Sequence, residues 1–337
     1  HEGRRYMRLL TRAAPPELFR VARVIGGRVR EDFAGFPVAD TSATAAPSGE
    51  ERVLPVSFLR FDGTWRYKGY SVMVPERPRI QPGPVWRQTC IFCHNTAHHL
   101  ATAYDELSGV SRGYQGSMAS LLPPARSLRY EVLDAPALAA AFAADAAHLG
   151  HQVSSTGLAD AARGVMDATR ASYGEDHLVE VGIGCEACHN GARAHAEDPS
   201  QPPSFRPQHP AMRVVSPPGF DPEVDAKNRV CARCHTVLFS RYPYTWEGGT
   251  RSGDAGGSHI NSGEARDFLL GGCATKLTCT TCHDPHQKSD RARMDALGTV
   301  AGNPVCTSCH AELAPPERLV AHTGHGAESA GSACIGC

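Results

Sequence analysis

Short apolar runs broken by basic residues open the chain. Leu18-Phe19-Arg20-Val21-Ala22-Arg23-Val24-Ile25 and Arg52-Val53-Leu54-Pro55-Val56-Ser57-Phe58-Leu59-Arg60-Phe61 read as strands, and Asp62-Gly63 supplies a turn before Thr64-Trp65-Arg66-Tyr67. With a small-residue loop over 39–50, this predicts a small β-meander or hairpin lobe within residues 1–89. The pattern then lengthens. Asp134 stands ready to cap a helix from Ala135 to Leu149, with Pro136 tolerated in its first turn. A second helix is expected from Leu158 to Ser172, after Gly157. Further on, Pro199–Pro222 and Tyr242–Ser262 read as Pro- or Gly-rich loops, and little regular structure is expected beyond short helices. No apolar run nears the roughly 18–20 residues that cross a bilayer.

Composition supports many turns: 33 Gly and 25 Pro lie in 337 residues, a length that suggests about two domains. The formal net charge of −1 argues against a dedicated nucleic-acid binder. That near-neutrality hides a division. Residues 1–89 hold 15 Lys+Arg against 9 Asp+Glu, whereas 90–337 hold 19 against 26. The basic lobe reads most simply as a solvated surface, and alternatively as a docking face for acidic groups or a partner.

The cysteines change the picture. Twelve of the 13 form Cys-x-x-Cys pairs, and five pairs are followed at once by histidine: Cys90/Cys93/His94, Cys185/Cys188/His189, Cys231/Cys234/His235, Cys279/Cys282/His283 and Cys306/Cys309/His310. The sixth pair is Cys334/Cys337. Chance placement gives far fewer than one such motif. Cys-x-x-Cys-His is the attachment signature of c-type haem: two thiols add across the porphyrin vinyl groups and the adjacent histidine becomes the proximal iron ligand. Structural zinc does not need a histidine directly after the second cysteine. Disulfide frameworks belong mainly to shorter chains, and iron–sulfur clusters favour four-cysteine sets that these wide gaps do not supply. The expected cofactor is haem c, at least five, and six if histidine follows Cys337. Cys273 stands alone and reads as a buried small hydrophobe in preference to a free thiol.

Covalent haem implies a periplasmic, extracellular or cell-surface location. No signal peptide is legible after His1-Glu2-Gly3-Arg4-Arg5, so both ends of the sequence read as cut. Five haems, each one ferric charge against two propionates, move the net charge from −1 to about −6.

Seventeen histidines less five proximal ones leave enough for a second axial ligand at every iron. His195, His259 and His286 are the favoured distal candidates, followed by His177 and His325, which precede Cys185 and Cys334 by eight and nine residues. Of His98 and His99, and of His148 and His151, at most one of each pair is expected to ligate. His209, flanked by prolines, and His322 are less favoured.

The motif surroundings resemble those of multihaem cytochromes related to the tetrahaem electron carrier of nitrifying bacteria, the acceptor for hydroxylamine oxidoreductase. The resemblance covers most of the chain. It is carried by Gly184-Cys185-Glu186-Ala187-Cys188-His189-Asn190-Gly191 with the trailing His195, by His259 leading to Leu277–His286, and by His325 to Cys337. It implies that the trailing His195, and the histidines preceding the later motifs, ligate other haems. It also implies a further haem upstream, with His1 a remnant of its neighbourhood. The chain departs from that family in having at least five haems and a long gap between the first two, so neither a hydroxylamine partner nor nitrification carries over.

The expected fold is a multihaem cytochrome c: short helices and loops wrapped around a haem array, with the small N-terminal β-rich lobe. Its parts are expected to be the basic lobe at 1–89, the first motif plus a helical segment at 90–184, and a closely spaced haem-binding domain at 185–337. Electron transfer is the favoured function, between a redox-protein donor and acceptor or within a larger electron-transfer complex or filament. The alternative is an oxidoreductase acting on a small nitrogen or sulfur compound at one five-coordinate haem.

Overall fold

The computed structural model describes residues 3–10, 15–42, 44–67, 83, 85–88, 90–96, 103, 122–172, 175–178, 180–190, 193–206, 209–235, 237–240, 258–262, 264–287 and 291–336. The chain divides into two compact units, His1–Lys276 and Leu277–Cys337.

The first unit opens with an antiparallel five-stranded sheet in sequence order, β1 (Arg5–Leu9), β2 (Glu17–Gly26), β3 (Arg30–Pro37), β4 (Arg52–Leu59) and β5 (Thr64–Tyr67). The meander and the Asp62-Gly63 turn agree with the sequence pattern. Gly63 takes a φ of 69°, and Asp62 Oδ1 accepts from the Thr64 amide at 3.0 Å. Strands β1 and β3 were not predicted. Glu31, Asp32, Gly35 and Pro37 break the alternation in β3. Pairing nevertheless holds because Asp32 accepts from the Ser57 hydroxyl at 2.5 Å, and Gly35 lets the Arg20 carbonyl of β2 approach. A Cβ at Gly35 would lie 2.4 Å from that oxygen.

The rest of this unit follows as β6 (Asn95–Thr96), β7 (Arg129–Val132), α1 (Ala135–His148), α2 (Leu158–Ser172), β8 (Glu180–Val181), α3 (Arg193–Glu197), β9 (Met212–Val215), α4 (Pro222–His235), β10 (Val237–Ser240), β11 (Ser258–Ser262) and α5 (Glu264–Leu270). Both predicted helices form. Asp134 Oδ1 caps α1 through the Ala137 amide at 3.0 Å. Leu138, Phe142 and Ala146 of α1 bury against Ala161, Val165 and Met166 of α2, and the same core takes in Trp86 and Ile91. Small alanines let the two helices approach closely while the larger side chains fill the seam.

Two loop expectations are corrected. β9 lies inside 199–222 and pairs antiparallel with β7, and β11 lies inside 242–262 and pairs with β10. Met212-Arg213-Val214-Val215 is a short run ending in two β-branched valines that the flanking prolines obscured. α4, at fourteen residues, also exceeds the short motif helices expected after residue 185.

The second unit holds α6 (Cys279–Cys282), α7 (Arg291–Leu297), α8 (Pro304–Thr307) and α9 (Pro316–Thr323), with single 3-10 turns between α7 and α8 and between α8 and α9. Gly324, at φ 72°, ends α9 in the left-handed conformation. Among its described residues the only buried apolar side chains are Leu297, Leu319 and Ala333. That is too little polypeptide core for a unit of this size. Among the described residues no helix is long and apolar enough to cross a membrane.

Candidate haem-attachment sites

The Cys-x-x-Cys-His segments share one local geometry. The histidine amide donates to the carbonyl of the first cysteine at 2.9 Å in His94/Cys90, His189/Cys185, His283/Cys279 and His310/Cys306. In the fifth, Cys231–His235 is the last turn of α4. Each motif is therefore a closed helical turn. Residues three apart share a face of such a turn, so both sulfurs project to one side with the imidazole following directly. This is the arrangement that two thioethers and a proximal ligand require. Cys334–Gly336 is also a single 3-10 turn, while Cys337 lies outside the described residues. None of the described cysteines is joined to another in a disulfide.

The polypeptide covers these anchors unequally. Cys185 and Cys309 are exposed, whereas the other described motif cysteines are half-buried. Cys309 is exposed on a formed turn. Its amide donates to the Cys306 carbonyl at 3.1 Å, so the turn itself is formed. Among the described residues of its unit, only Leu297, Leu319 and Ala333 are buried apolar side chains.

The first three motifs are brought together. Asn95 and Thr96, directly after His94, pair in β6 with Val181 and Glu180 of β8, just ahead of Cys185. The Gly182 amide donates to the His94 carbonyl at 3.1 Å, and the Gly184 amide to Thr96 Oγ1 at 2.9 Å. The third motif reaches the first through Cys234 Sγ, 3.8 Å from the Cys93 carbonyl oxygen. A hydrogen bond with the Cys93 side chain pushes the Cys234 thiol down to about 6, against the effect of burial and with help from Arg233. Burial pushes the Cys188 thiol up, partly offset by the same Arg233, and the Cys234 charge adds to the rise. Neither sulfur titrates once it is a thioether. The shared influences show that Cys93, Cys188, Cys234 and Arg233 are neighbours.

In the second unit Asn303 performs a similar tie. Its side-chain amide donates to the Ser332 carbonyl at 2.9 Å, and its oxygen accepts from the Cys334 amide at 2.9 Å. The turn at Cys334 is thereby fixed to the start of the helix that carries Cys306.

Surrounding side chains fit a haem. The indole of Trp86 lies 6.1 Å from the His94 ring, with the Arg23 guanidinium 4.7 Å above Trp86. Among the described residues, Trp86 Nε1, Asn95 Oδ1, Asp225 Oδ2 and Arg229 Nη1 are buried without a hydrogen-bond partner. Such atoms are costly unless a further group satisfies them. All four lie beside the first three motifs. With paired sulfurs on one face of each turn, a neighbouring imidazole and a sparse apolar core in the second unit, the donor set suits a covalent porphyrin.

The distal candidates differ in their setting. His195 lies on α3, where its Nδ1 is 2.7 Å from the Gln201 carbonyl oxygen. A carbonyl can only accept, so this contact places the proton on Nδ1 and leaves Nε2 with its lone pair for a metal. His209 is the reverse: its Nδ1 accepts the Ala211 amide at 3.2 Å, which puts the proton on Nε2. His286 is exposed in the turn whose backbone amide binds Asp284 Oδ1 at 2.9 Å. The exposed His325 ring lies against Gly331, where a Cβ would sit 2.6 Å from it. His148 ends α1, exposed, and the half-buried His151 follows the helix. His259 falls on β11 opposite Phe239, and His177 in the 3-10 turn at Glu175–His177. His98, His99 and His1 lie outside the described residues. Cys273 is exposed, which corrects its expectation as a buried small hydrophobe: it sits in the polar turn Gly272–Thr275, where only Ala274 faces inward.

Residues 272–315 match a family model described as a doubled CXXCH motif. The segment contains Cys279–His283 and Cys306–His310. The match supports a multihaem c-type cytochrome with covalently bound haem c. No curated protein and no solved structure matches the chain.

Sequence reading did not single out the residues around the motifs: Trp86, Phe205, Arg206, Asp225, Arg229 and Arg233. Arg229 and Arg233 carried a legible signal, two cations four apart on the helix that delivers Cys231 and Cys234.

Proposed function

We propose that this protein is an electron carrier holding five covalent haems, at Cys90–His94, Cys185–His189, Cys231–His235, Cys279–His283 and Cys306–His310. A sixth belongs on Cys334/Cys337 where histidine follows. Haem iron supplies the one-electron couple when bound. The chain's own residues fix the spacing, fill the axial positions and exclude water. His195 is the leading distal ligand, and the others are drawn from His259, His286, His177 and His325, with at most one of His98/His99 and at most one of His148/His151. With both axial positions taken, the irons offer no site for a substrate.

The observation that carries this reading is the convergence of the first three motifs, joined through β6 and β8 and through the Cys93–Cys234 contact. Neighbouring attachment turns favour neighbouring redox centres. The sparse apolar core of Leu277–Cys337 supports the macrocycles as its missing interior, with short helices and loops as a partial sleeve around them, open at Cys309. The donor and acceptor are redox proteins, or neighbours in a larger assembly, in the periplasm or at the cell surface. The superfamily of the nitrifier tetrahaem carrier is the nearest family reading, on the motif surroundings described above. The three-part division, basic lobe, first motif with its helical hairpin, and closely spaced haem domain, goes with it.

Low-temperature EPR of the oxidised protein tests the reading. All-histidine ligation gives a wholly low-spin ferric spectrum. A substantial high-spin signal would overturn the carrier assignment in favour of catalysis at an open iron.

A further inference from the structure

Two of the proximal histidines are packed in the same way. The His94 ring meets the indole of Trp86 at a centroid separation of 6.1 Å and a tilt of 40°, and the Arg23 guanidinium lies over that indole at 4.7 Å. The His189 ring meets Phe205 at 4.7 Å and 49°, and the Lys227 ammonium lies over Phe205 at 5.3 Å. Both ring separations suit tilted aromatic contacts, and both cations are within reach of the ring quadrupole. Imidazole, aromatic ring and cation thus recur at the first and second motifs. Motif spacing dictates neither neighbour, since Trp86 comes eight residues before His94 and Phe205 sixteen after His189.

The two rings are held from outside their motifs. Trp86 is 4% exposed in the core built on α1 and α2, and its amide donates to the Glu51 carbonyl at 2.9 Å. Arg23, from β2, is in turn fixed by Glu51 Oε1 at 2.6 Å and by Glu175. Phe205 is tied to the second motif by Asn190, directly after His189, whose side-chain amide donates to the Phe205 carbonyl at 3.3 Å. Lys227 comes from α4, the helix that carries the third motif.

An imidazole bound through one nitrogen can still turn about the bond to its metal, and neighbouring side chains decide where its plane comes to rest. In a low-spin ferric haem that plane governs the splitting of the iron d orbitals, and with it the g values. From these contacts we infer that Trp86 and Phe205 are positioning residues that fix the ring planes of His94 and His189. The inference rests on the haem reading above. A tilted aromatic ring at these separations obstructs rotation of the imidazole, whereas a flexible aliphatic side chain does not hold it to one orientation.

The test is low-temperature EPR of the matured, oxidised protein, with peptide mass analysis of segments 90–94 and 185–189. Phe205→Leu keeps an apolar side chain and removes the ring. One low-spin signal should lose its original g values and reappear shifted or broadened, while the others hold. Phe205→Tyr, which keeps the ring, should retain the original spectrum. Trp86→Leu should displace a different signal, and Trp86→Phe should leave it in place. Trp86 is a core residue, so half-buried Phe205 decides the question if Trp86→Leu fails to fold. In a Cys185→Ser/Cys188→Ser background, which lacks the second haem, Phe205→Leu should displace no signal. If both segments carry haem but Phe205→Leu and any folded Trp86→Leu leave every g value unchanged, the inference falls. An unmodified 90–94 or 185–189 peptide would overturn the underlying haem reading instead.

Discussion

At the residue scale, the five motifs were legible because their chemistry demands adjacency: two thiols three apart and an imidazole at the next position. The distal candidates were legible only as a surplus of histidines, because ligation would depend on which ring nitrogen carries the proton, and that is set by partners the fold supplies. His195 and His209 show the difference. Gln201 holds the proton of His195 on Nδ1, whereas the Ala211 amide claims Nδ1 of His209. His195→Ala should therefore convert one haem in five from low-spin to high-spin, read by EPR and by the visible charge-transfer band. His209→Ala should leave the low-spin signal intact. Equal effects of the two substitutions would refute the tautomer argument.

At the element scale, α1 and α2 were readable from Asp134, the alanine–leucine run and the glycine before Leu158. β1 and β3 were not, because β3 carries Glu31 and Asp32 at positions that the sheet neutralises with Ser57 and neighbouring arginines. The helical hairpin also supports the first motif, since Ile91, inside Cys90–Cys93, shares its core. Phe142, fully buried in that core, should cost about 3–5 kcal/mol when replaced by alanine. Chemical unfolding of the full protein followed by far-UV circular dichroism measures the loss, and a change near zero would contradict the packing described. Asn303 is the corresponding element in the second unit. Asn303→Ala removes both of its ties and leaves the Ser332 carbonyl and Cys334 amide unsatisfied, at about 1–3 kcal/mol each if they stay buried. Hydrogen exchange at the Cys334 amide should speed up by at least tenfold, while unchanged protection would show that the turn is held by other means.

At the scale of the whole molecule, composition was the poorest guide. A net charge of −1 and a Gly/Pro-rich chain describe an ordinary loop-rich protein until the cofactors are counted. The proposed haems would account for what the polypeptide leaves incomplete: a second unit with three buried apolar side chains among its described residues, and buried polar atoms without partners beside the first three motifs. The central claim is covalent haem at every Cys-x-x-Cys-His turn. The mass of the denatured protein, matured in a host that attaches c-type haem, tests it most directly. The expected mass is that of the polypeptide plus five haems, while a fully matured sample carrying only the two haems of the doubled motif, or none, would contradict it.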